Sequence, residues 1–225
     1  HFFCDSNTDM ATSSSLEKPA WLPRGIKFSY LFYVLLAIPI VGAFAFATIQ
    51  PIQVLPRISL APGFSLVNQE GERLTNEDLS GSLTLYHFTY SNCGDRCADS
   101  QKVMREVQDL TSDLDTGGIP FELVTISFDP ERDTPEQLRN YAESLGADTS
   151  NWHFATGEPT RLKNVIGGGF SSYYRQNDEG ESEFDPMFVL VDGWGIIRAK
   201  YKTGSPDLEI IERDIGMITE EVANS

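Results

Sequence analysis

The sequence predicts an α/β protein, a three-layer sandwich preceded by one N-terminal transmembrane helix. The first observation is that residues 28–49 form an uncharged, mostly apolar stretch. At about 1.5 Å per residue, this stretch is long enough to cross a hydrocarbon core of roughly 30 Å. The second is that beyond Pro62 segments typical of strands alternate with segments typical of helices, which favours helices packed on both faces of a sheet.

These patterns divide the chain into four parts. The predicted parts are a cytoplasmic tail (1–27), a transmembrane helix (28–49), a linker (50–62) and an extracytoplasmic domain (63–225). The linker is inferred from Pro51, Pro56 and Pro62, because closely spaced prolines favour extended chain. The domain is of ordinary size for a single folding unit.

The basic residues beside the apolar stretch predict its orientation. Lys18, Arg24 and Lys27 precede it, whereas Arg57 is the single base soon after it. Positive charge favours the cytoplasmic side, so the N-terminus is predicted to be cytoplasmic and the large domain to lie outside a cell membrane. A cleaved signal peptide is the alternative.

The charge of the chain is strongly acidic, with 17 Lys and Arg against 33 Asp and Glu. The tail balances three acids with three bases, so the net charge of −16 belongs to the outer part. Such a surface repels phosphates, which argues against a nucleic-acid partner. It is compatible with a basic partner such as a basic electron-carrier protein, or simply with a solubilising surface.

Individual elements of the domain follow from apolar periodicity and turn residues. The predicted strands are 64–67, 83–90, 121–128, 152–155, 188–192 and 196–201, and the predicted helices are 98–114, 134–145, 159–165 and 206–222. Thr134, Pro135 and Gln137 have the spacing of a helix start with a capping box. The glycine run 167–169 lacks the spacing of a nucleotide-binding loop and is expected to end a helix and begin a projecting loop.

Cys93 and Cys97 are the strongest candidates for a functional site. They lie four positions apart, after a predicted strand and at the start of a predicted helix. Side chains at this spacing on the first turn of a helix approach each other, so the two sulfurs can form a disulfide or share a soft metal ion. An inert structural disulfide is a further alternative; closing so short a loop would stabilise the fold by only about 2 kcal/mol.

Two motifs resemble the Sco/SenC family over roughly residues 60–222. One is Phe88-x-Tyr90-x-x-Cys93-x-x-x-Cys97, and the other is the string 127–135, which reads SFDPERDTP. The resemblance implies a thioredoxin-like fold, usually anchored by one N-terminal helix. It also implies a role in copper delivery to cytochrome oxidase and in the assembly of that enzyme.

The resemblance further implies a Cu(I) site made by both cysteines and a distant histidine. Cys93 and Cys97 match the cysteines, and Asp185 matches the acid that precedes the histidine, but Pro186 stands in the place of the histidine. Met187 is a candidate replacement, since thioethers bind Cu(I).

The remaining histidines of the domain are poor replacements. His87 precedes Cys93 by six residues on a predicted strand, which at about 3.3 Å per residue places it nearly 20 Å away. His153 lies in a predicted buried strand, where a satisfied core histidine is the expected role.

Thiol chemistry is therefore the favoured role of the cysteine pair. A helix start lowers a thiol pKa, and Arg96 would assist while Asp95 opposes. Pro186 resembles the cis-proline that faces the cysteine pair in many thioredoxin-fold oxidoreductases, and both isomers of its peptide bond stay open. Cys93, Cys97 and Pro186 are the predicted catalytic group, with Cys93, Cys97 and Met187 as the alternative copper ligands.

The sequence thus predicts a Sco/SenC-like membrane-anchored protein acting in assembly or thiol–disulfide maintenance of a respiratory metal centre. Its expected partners are the membrane and subunits of a respiratory or electron-transfer complex. The alternative is a non-catalytic accessory subunit of a respiratory or photosynthetic complex in the membrane.

Overall fold

The computed structural model describes residues 28–48, 55–176 and 182–223. The chain divides into two compact units, 1–52 and 53–225, which are described here one at a time. The predicted tail, the first part of the predicted linker and residues 177–181 lie outside the described residues.

The described part of the first unit is one helix, α1 (Phe28–Thr48), with Pro39 inside it. Its side chains are described over residues 30–44, and all of these are exposed. Within the part of the chain that the structure describes, no helix is long and apolar enough to cross a membrane. The predicted transmembrane helix therefore stays a prediction.

The second unit is an eight-stranded mixed sheet with helices on both faces and a separate hairpin. Its strands are β1 (Ser59–Leu60), β2 (Ser65–Asn68), β3 (Arg73–Thr75), β4 (Leu83–Thr89), β5 (Phe121–Ser127), β6 (Trp152–Thr156), β7 (Tyr174–Gln176), β8 (Ser182–Phe184), β9 (Phe188–Val191) and β10 (Ile196–Tyr201). Its helices are a 3₁₀ segment (Ser91–Cys97), α2 (Ala98–Asp113), α3 (Pro135–Leu145), α4 (Pro159–Leu162), a π-helix (Lys163–Phe170) and α5 (Leu208–Ala223).

The strand order in the large sheet is β1-β10-β9-β4-β5-β6-β2-β3, and β7 pairs only with β8. Strands β4, β5 and β6 run parallel to one another, while the other pairs are antiparallel. All seven residues of β4 are buried, as expected of a strand covered on both faces. The carboxyl end of β4 leads directly into the 3₁₀ segment that carries the cysteines.

Alternate residues of the strands divide the core into two clusters, one on each face of the sheet. Leu83 and Leu85 of β4 pack with apolar residues of α2, α3 and α5. Tyr86 and Phe88 of the same strand pack with α4 and the π-helix on the opposite face. This alternation is the period of two that a strand imposes, and it confirms the predicted three-layer α/β arrangement.

The domain begins earlier than the sequence analysis placed it. Part of the predicted linker forms β1, which pairs with β10 through Ser59 and Leu60. The Leu55 carbonyl accepts a hydrogen bond of 2.8 Å from Arg198, whose side chain is 1% exposed and also pairs with Asp192 at 3.0 Å. Because a buried guanidinium needs partners for its charge, this contact holds the segment before β1 against the domain.

The helix predicted over 159–165 continues further than expected, as the π-helix. Its glycine run therefore lies inside a helix and not in a loop. A Cβ at Gly169 would lie 2.3 Å from the Pro62 Cβ, whereas a Cβ at Gly168 would meet no atom within 4 Å. Gly169 thus allows the chain before β2 to pack closely against the π-helix.

These neighbouring glycines provide a matched test of that packing. We expect Gly169→Ala to lower the free energy of unfolding by about 1–3 kcal/mol, because the new methyl group overlaps Pro62. Gly168→Ala should leave stability unchanged or raise it by up to about 1 kcal/mol, since alanine is the better helix former. Urea unfolding of both variants measures the difference, and equal effects of the two substitutions would contradict the close contact.

Candidate functional site

Cys93 and Cys97 are joined by a disulfide, with their Cα atoms 5.7 Å apart. Both side chains are nearly inaccessible, Cys93 at 4% exposure and Cys97 at 1%. They belong to the buried cluster that includes Tyr86, Phe88 and Met187. The bond therefore lies inside the fold at the carboxyl end of β4, and Cys93 is the slightly more exposed of the two residues.

The backbone around the cysteines differs from the predicted first turn of a helix. Cys93 lies within the 3₁₀ segment, and Cys97 is the N-cap residue of α2. Between them Gly94 has φ 61° and ψ −145°, a conformation that a residue with a side chain rarely adopts. The irregular turn at Gly94, and not the i,i+4 spacing of a regular helix, brings the two sulfurs together.

Thr89, the last residue of β4, contacts the disulfide directly. Its Oγ1 lies 3.1 Å from the Cys97 Sγ, and both side chains are buried. Because the sulfur of a disulfide carries no hydrogen, the hydroxyl is the donor in this contact. The position of Cys97 at the start of α2 adds the favourable field of a helix N-terminus for negative charge on its sulfur.

Asp133 holds the cysteine segment against the rest of the domain. Its side chain is fully buried, and its carboxylate accepts hydrogen bonds from the Ser91 backbone N–H at 2.9 Å and from the Ser91 hydroxyl. It also accepts from the Ser127 hydroxyl at the end of β5. One carboxylate therefore links the start of the 3₁₀ segment to the neighbouring strand.

The rest of the motif 127–135 shapes the turn that carries Asp133. The Asp129 carboxylate pairs with Arg132 at 2.9 Å, and the Asp129 carbonyl accepts from the Asp133 N–H at 2.9 Å. Thr134 then caps α3 by accepting from the Gln137 N–H at 3.3 Å, as predicted. The motif thus builds a turn that presents one carboxylate to the cysteine segment.

An aromatic group surrounds the same end of the sheet. The Phe128 ring packs against Tyr90 at 5.2 Å, against Tyr174 at 5.1 Å and against Phe184 at 5.1 Å, measured between ring centroids. Tyr174 and Phe184 belong to the β7–β8 hairpin and pack on the cluster that contains the cysteines. Arg96 donates a hydrogen bond to the Tyr90 hydroxyl.

The structure separates the two candidates on the segment before β9. Met187 is 3% exposed and lies in the same buried cluster as the disulfide. Pro186 is half-buried beside Gly204 and follows a trans peptide bond, as does every other described residue. The cis geometry considered for Pro186 is therefore not present, and its catalytic role stays a prediction.

The histidines of the domain have other surroundings. The His87 ring stacks on Phe188 at 4.9 Å, and Phe188 belongs to the cluster on the opposite face of the sheet from the disulfide cluster. Burial lowers the pKa of His87 to about 3. The His153 Nε2 lies 3.1 Å from a Glu122 carboxylate oxygen, so His153 is the satisfied histidine that the sequence predicted.

These positions bear on the copper prediction. Within the described ranges, no group of three or more His, Cys, Asp or Glu side chains is placed to hold a metal ion. The soft donors that belong to this one buried cluster are the two cysteine sulfurs and the Met187 thioether. Such a set fits Cu(I) in ligand type once the disulfide is reduced.

Sequence reasoning assigned no role to Thr89, Ser91, Ser127 or Asp133. Asp133 belongs to the motif 127–135, but its contact with Ser91, 42 positions away, has no signal in the sequence. The position of Thr89 was the one sequence signal for its contact with the cysteines, because Thr89 ends the strand that precedes them.

A mixed sheet between helical layers, with a cysteine pair at the end of a central strand, defines a thioredoxin-like protein. The profile of the SCO1/SenC family matches residues 54–219, and the chain belongs to this family.

Curated relatives include two SCO1 homologues of known sequence. The mitochondrial SCO1 homolog 1 of Arabidopsis thaliana is 29% identical over 121 residues, covering 54% of this chain and 34% of that protein. The SCO1 homologue of Bacillus subtilis is 32% identical over 94 residues, covering 42% of this chain and 47% of that protein. The matched region thus spans less than half the length of each relative.

Two solved structures of Sco proteins have a similar fold. BsSco superposes with a TM-score of 0.66 at 22% identity. It is described as having a disulfide switch and as a member of the Sco family of cytochrome c oxidase assembly proteins. The superposition covers 76% of this chain and 99% of the BsSco chain. The structure of Arabidopsis thaliana ScoI with copper bound superposes with a TM-score of 0.61 at 23% identity. The superposition covers 74% of this chain and 100% of the ScoI chain. At these identities the likeness shows the fold.

The buried, neutral His87 makes stability depend on pH. The unfolded chain takes up a proton at this residue below about pH 6.5, whereas the folded chain resists it until about pH 3. Between about pH 6.5 and about pH 3 the unfolded state therefore binds more protons than the folded state, and the free energy of unfolding decreases as the pH falls. His87→Phe, which keeps a ring against Phe188, should remove a slope approaching about 1.4 kcal/mol per pH unit between about pH 6.5 and pH 5.

Urea unfolding across that pH range measures the slope. His153→Gln is the control, because His153 is half-buried beside Glu122 and should leave the slope in place. A wild-type slope retained in His87→Phe would show that His87 is not the group responsible.

Proposed function

We propose that this chain is a membrane-anchored thiol–disulfide protein that serves the assembly or maintenance of a respiratory metal centre. The observation that carries the proposal is the Cys93–Cys97 disulfide, whose Cys97 sulfur lies against the Thr89 hydroxyl at the start of α2. A cross-link of four residues adds little stability, so these surroundings are better explained by exchange than by structural support.

The proposed location follows from the sequence and from the family. Helix α1 would anchor the chain, with the domain outside a cell membrane, as the basic residues before it predict. The family includes a protein described as a cytochrome c oxidase assembly protein, which supports subunits of a respiratory complex as partners. The acidic surface favours a basic partner, for which a basic electron carrier is one example.

The first chemical step would be attack by a thiolate of the partner on the Cys93 sulfur. Cys93 is the slightly more exposed of the two residues, at 4% against 1%, which favours its sulfur as the point of attack. The partner sulfur bonds to Cys93, the Cys93–Cys97 bond breaks, and its electron pair passes to Cys97. The Thr89 hydroxyl and the start of α2 would then stabilise the Cys97 thiolate.

A second thiol of the same partner would complete the exchange. It attacks the partner sulfur of the mixed disulfide, and the electron pair of that bond passes to Cys93. The partner dithiol becomes a disulfide, and Cys93 and Cys97 become two thiols after taking up two protons. The net change is transfer of two electrons from the partner to this chain, and the reverse sequence would reduce a partner disulfide and re-form the Cys93–Cys97 bond.

The reduction potential of the pair tests this proposal. In glutathione buffers of graded ratio we expect Cys93 and Cys97 to equilibrate between disulfide and dithiol, as measured by alkylation and mass spectrometry. Thr89→Val should lower the potential by about 30 mV or more, because the reduced form loses a hydrogen bond to its thiolate. Thr89→Ser should keep the wild-type value, since it keeps the hydroxyl.

The outcome separates this function from the accessory-subunit alternative. A pair that stays oxidised in every glutathione buffer is structural, and an accessory subunit that co-purifies stoichiometrically with a membrane complex would then be the better account. Equal potentials in wild type and Thr89→Val would contradict the role of the hydroxyl.

Copper binding is the second candidate function, and the placement of Met187 in the disulfide cluster favours it. After reduction, Cys93 and Cys97 would supply two thiolates and Met187 a thioether, with copper as cargo. The copper-bound Arabidopsis relative has the same fold, which supports testing the reduced form for the metal.

Titration of the reduced chain with Cu(I) against a competing chelator measures this activity. If Met187 is a ligand, Met187→Leu should weaken one-to-one binding by about tenfold, while Cys93→Ser should abolish it. Leucine keeps the buried apolar volume, so the fold is retained. Tight binding that ignores Met187 would exclude the thioether as a ligand.

A further inference from the structure

A second site is indicated by a groove on the side of the domain formed by the π-helix and the start of the β7–β8 hairpin. The groove has a volume of about 510 Å³. We call it the 163–175 groove, and its lining residues are Lys163, Gly167, Ser171, Ser172, Tyr173, Tyr174 and Arg175. None of the residues proposed for thiol exchange or copper binding lines it.

The charge of the groove is opposite to that of the chain. Among the residues that the structure describes, two that line the groove are cations and none is an acid, although acids outnumber bases by 33 to 17 in the whole sequence. Lys163 is exposed, and no ion pair to it is found within the described residues. Two cations that line the same groove attract a negatively charged ligand.

One acid lies close to the groove without lining it. Glu183 contacts Arg175 at 3.5 Å, and both side chains are about two-thirds exposed. An exposed pair of this kind is weak and easily exchanged. The contact shows that the Arg175 guanidinium is oriented to receive a carboxylate, which a ligand oxyanion can replace.

Ser172 adds a hydroxyl group to the lining. The residue is 4% exposed and lines the groove, and its oxygen is not among the described buried side-chain atoms that lack a hydrogen-bond partner. A hydroxyl group at the wall of a groove can donate a hydrogen bond to a ligand oxygen.

The local backbone presents these groups to the same space. Lys163 and Gly167 lie on the π-helix, a wide helical turn that is often found at functional sites. Ser171 follows it with φ 62°, the one described non-glycine residue with positive φ, and the Ser172 N–H then donates to the Ile166 carbonyl of the π-helix at 3.0 Å. Gly167, from the glycine run noted in the sequence, has no side chain to narrow the space.

We propose that the 163–175 groove binds a small organic dianion bearing carboxylate or phosphate groups. Lys163 supplies a point charge, Arg175 a planar guanidinium suited to an oxyanion, and Ser172 a neutral hydrogen bond. The rings of Tyr173 and Tyr174 form the apolar wall for the carbon part of the ligand. This inference is independent of the proposed thiol exchange.

Isothermal titration of the full chain, in a non-ionic detergent and at low salt, tests the proposal. The probes are succinate for a dicarboxylate and inorganic phosphate for a phosphate group. We expect saturable one-to-one binding of at least one probe, although the net charge of −16 repels anions in general. Lys163→Gln and Arg175→Gln should each weaken binding by about tenfold.

Three further variants keep the test specific. Ser172→Ala should also weaken binding, whereas Glu183→Gln should tighten it, because the competing carboxylate is removed from Arg175. Lys102→Gln is the matched control, since Lys102 is an exposed lysine on α2 paired with Glu106; it should leave binding unchanged. The proposal fails if neither probe binds saturably, or if Lys102→Gln weakens binding as much as Lys163→Gln does.

Discussion

The buried carboxylate of Asp133 is the contact on which the cysteine site depends. It accepts hydrogen bonds from Ser91 before the cysteines and from Ser127 at the end of β5. A charged group without partners in the core is strongly unfavourable, so the three donors must converge on it. Their convergence fixes where the 3₁₀ segment leaves the sheet, and hence where the disulfide lies.

The surroundings of the disulfide combine protection with limited access. The sulfurs are enclosed by the apolar cluster and by the aromatic rings around Phe128, so solvent reaches them poorly. Cys93 keeps slightly more exposure than Cys97, while Cys97 has the hydroxyl of Thr89 and the start of α2 beside it. This asymmetry gives the two sulfurs different chemical roles in an exchange reaction.

Regular elements were predictable because their apolar periodicity is a local property of the sequence. Strands β4 and β5, helix α2, and helix α3 with its Thr134 cap lie within a residue or two of their predicted bounds. The irregular parts were not predicted. The turn at Gly94, the π-helix at 163–170 and the β7–β8 hairpin depend on contacts between segments distant in sequence, which periodicity does not encode.

The sequence by itself determined the layered α/β architecture, the acidic surface, the candidate pair Cys93 and Cys97, and the resemblance that family membership confirmed. Only the tertiary structure decided which groups surround that pair. It placed Met187 in the same cluster, put His87 on the opposite face of the sheet, and left Pro186 after a trans bond. The reason is physical: residue identity and spacing are local, whereas burial, facing direction and hydrogen-bond partners arise only when distant segments pack together.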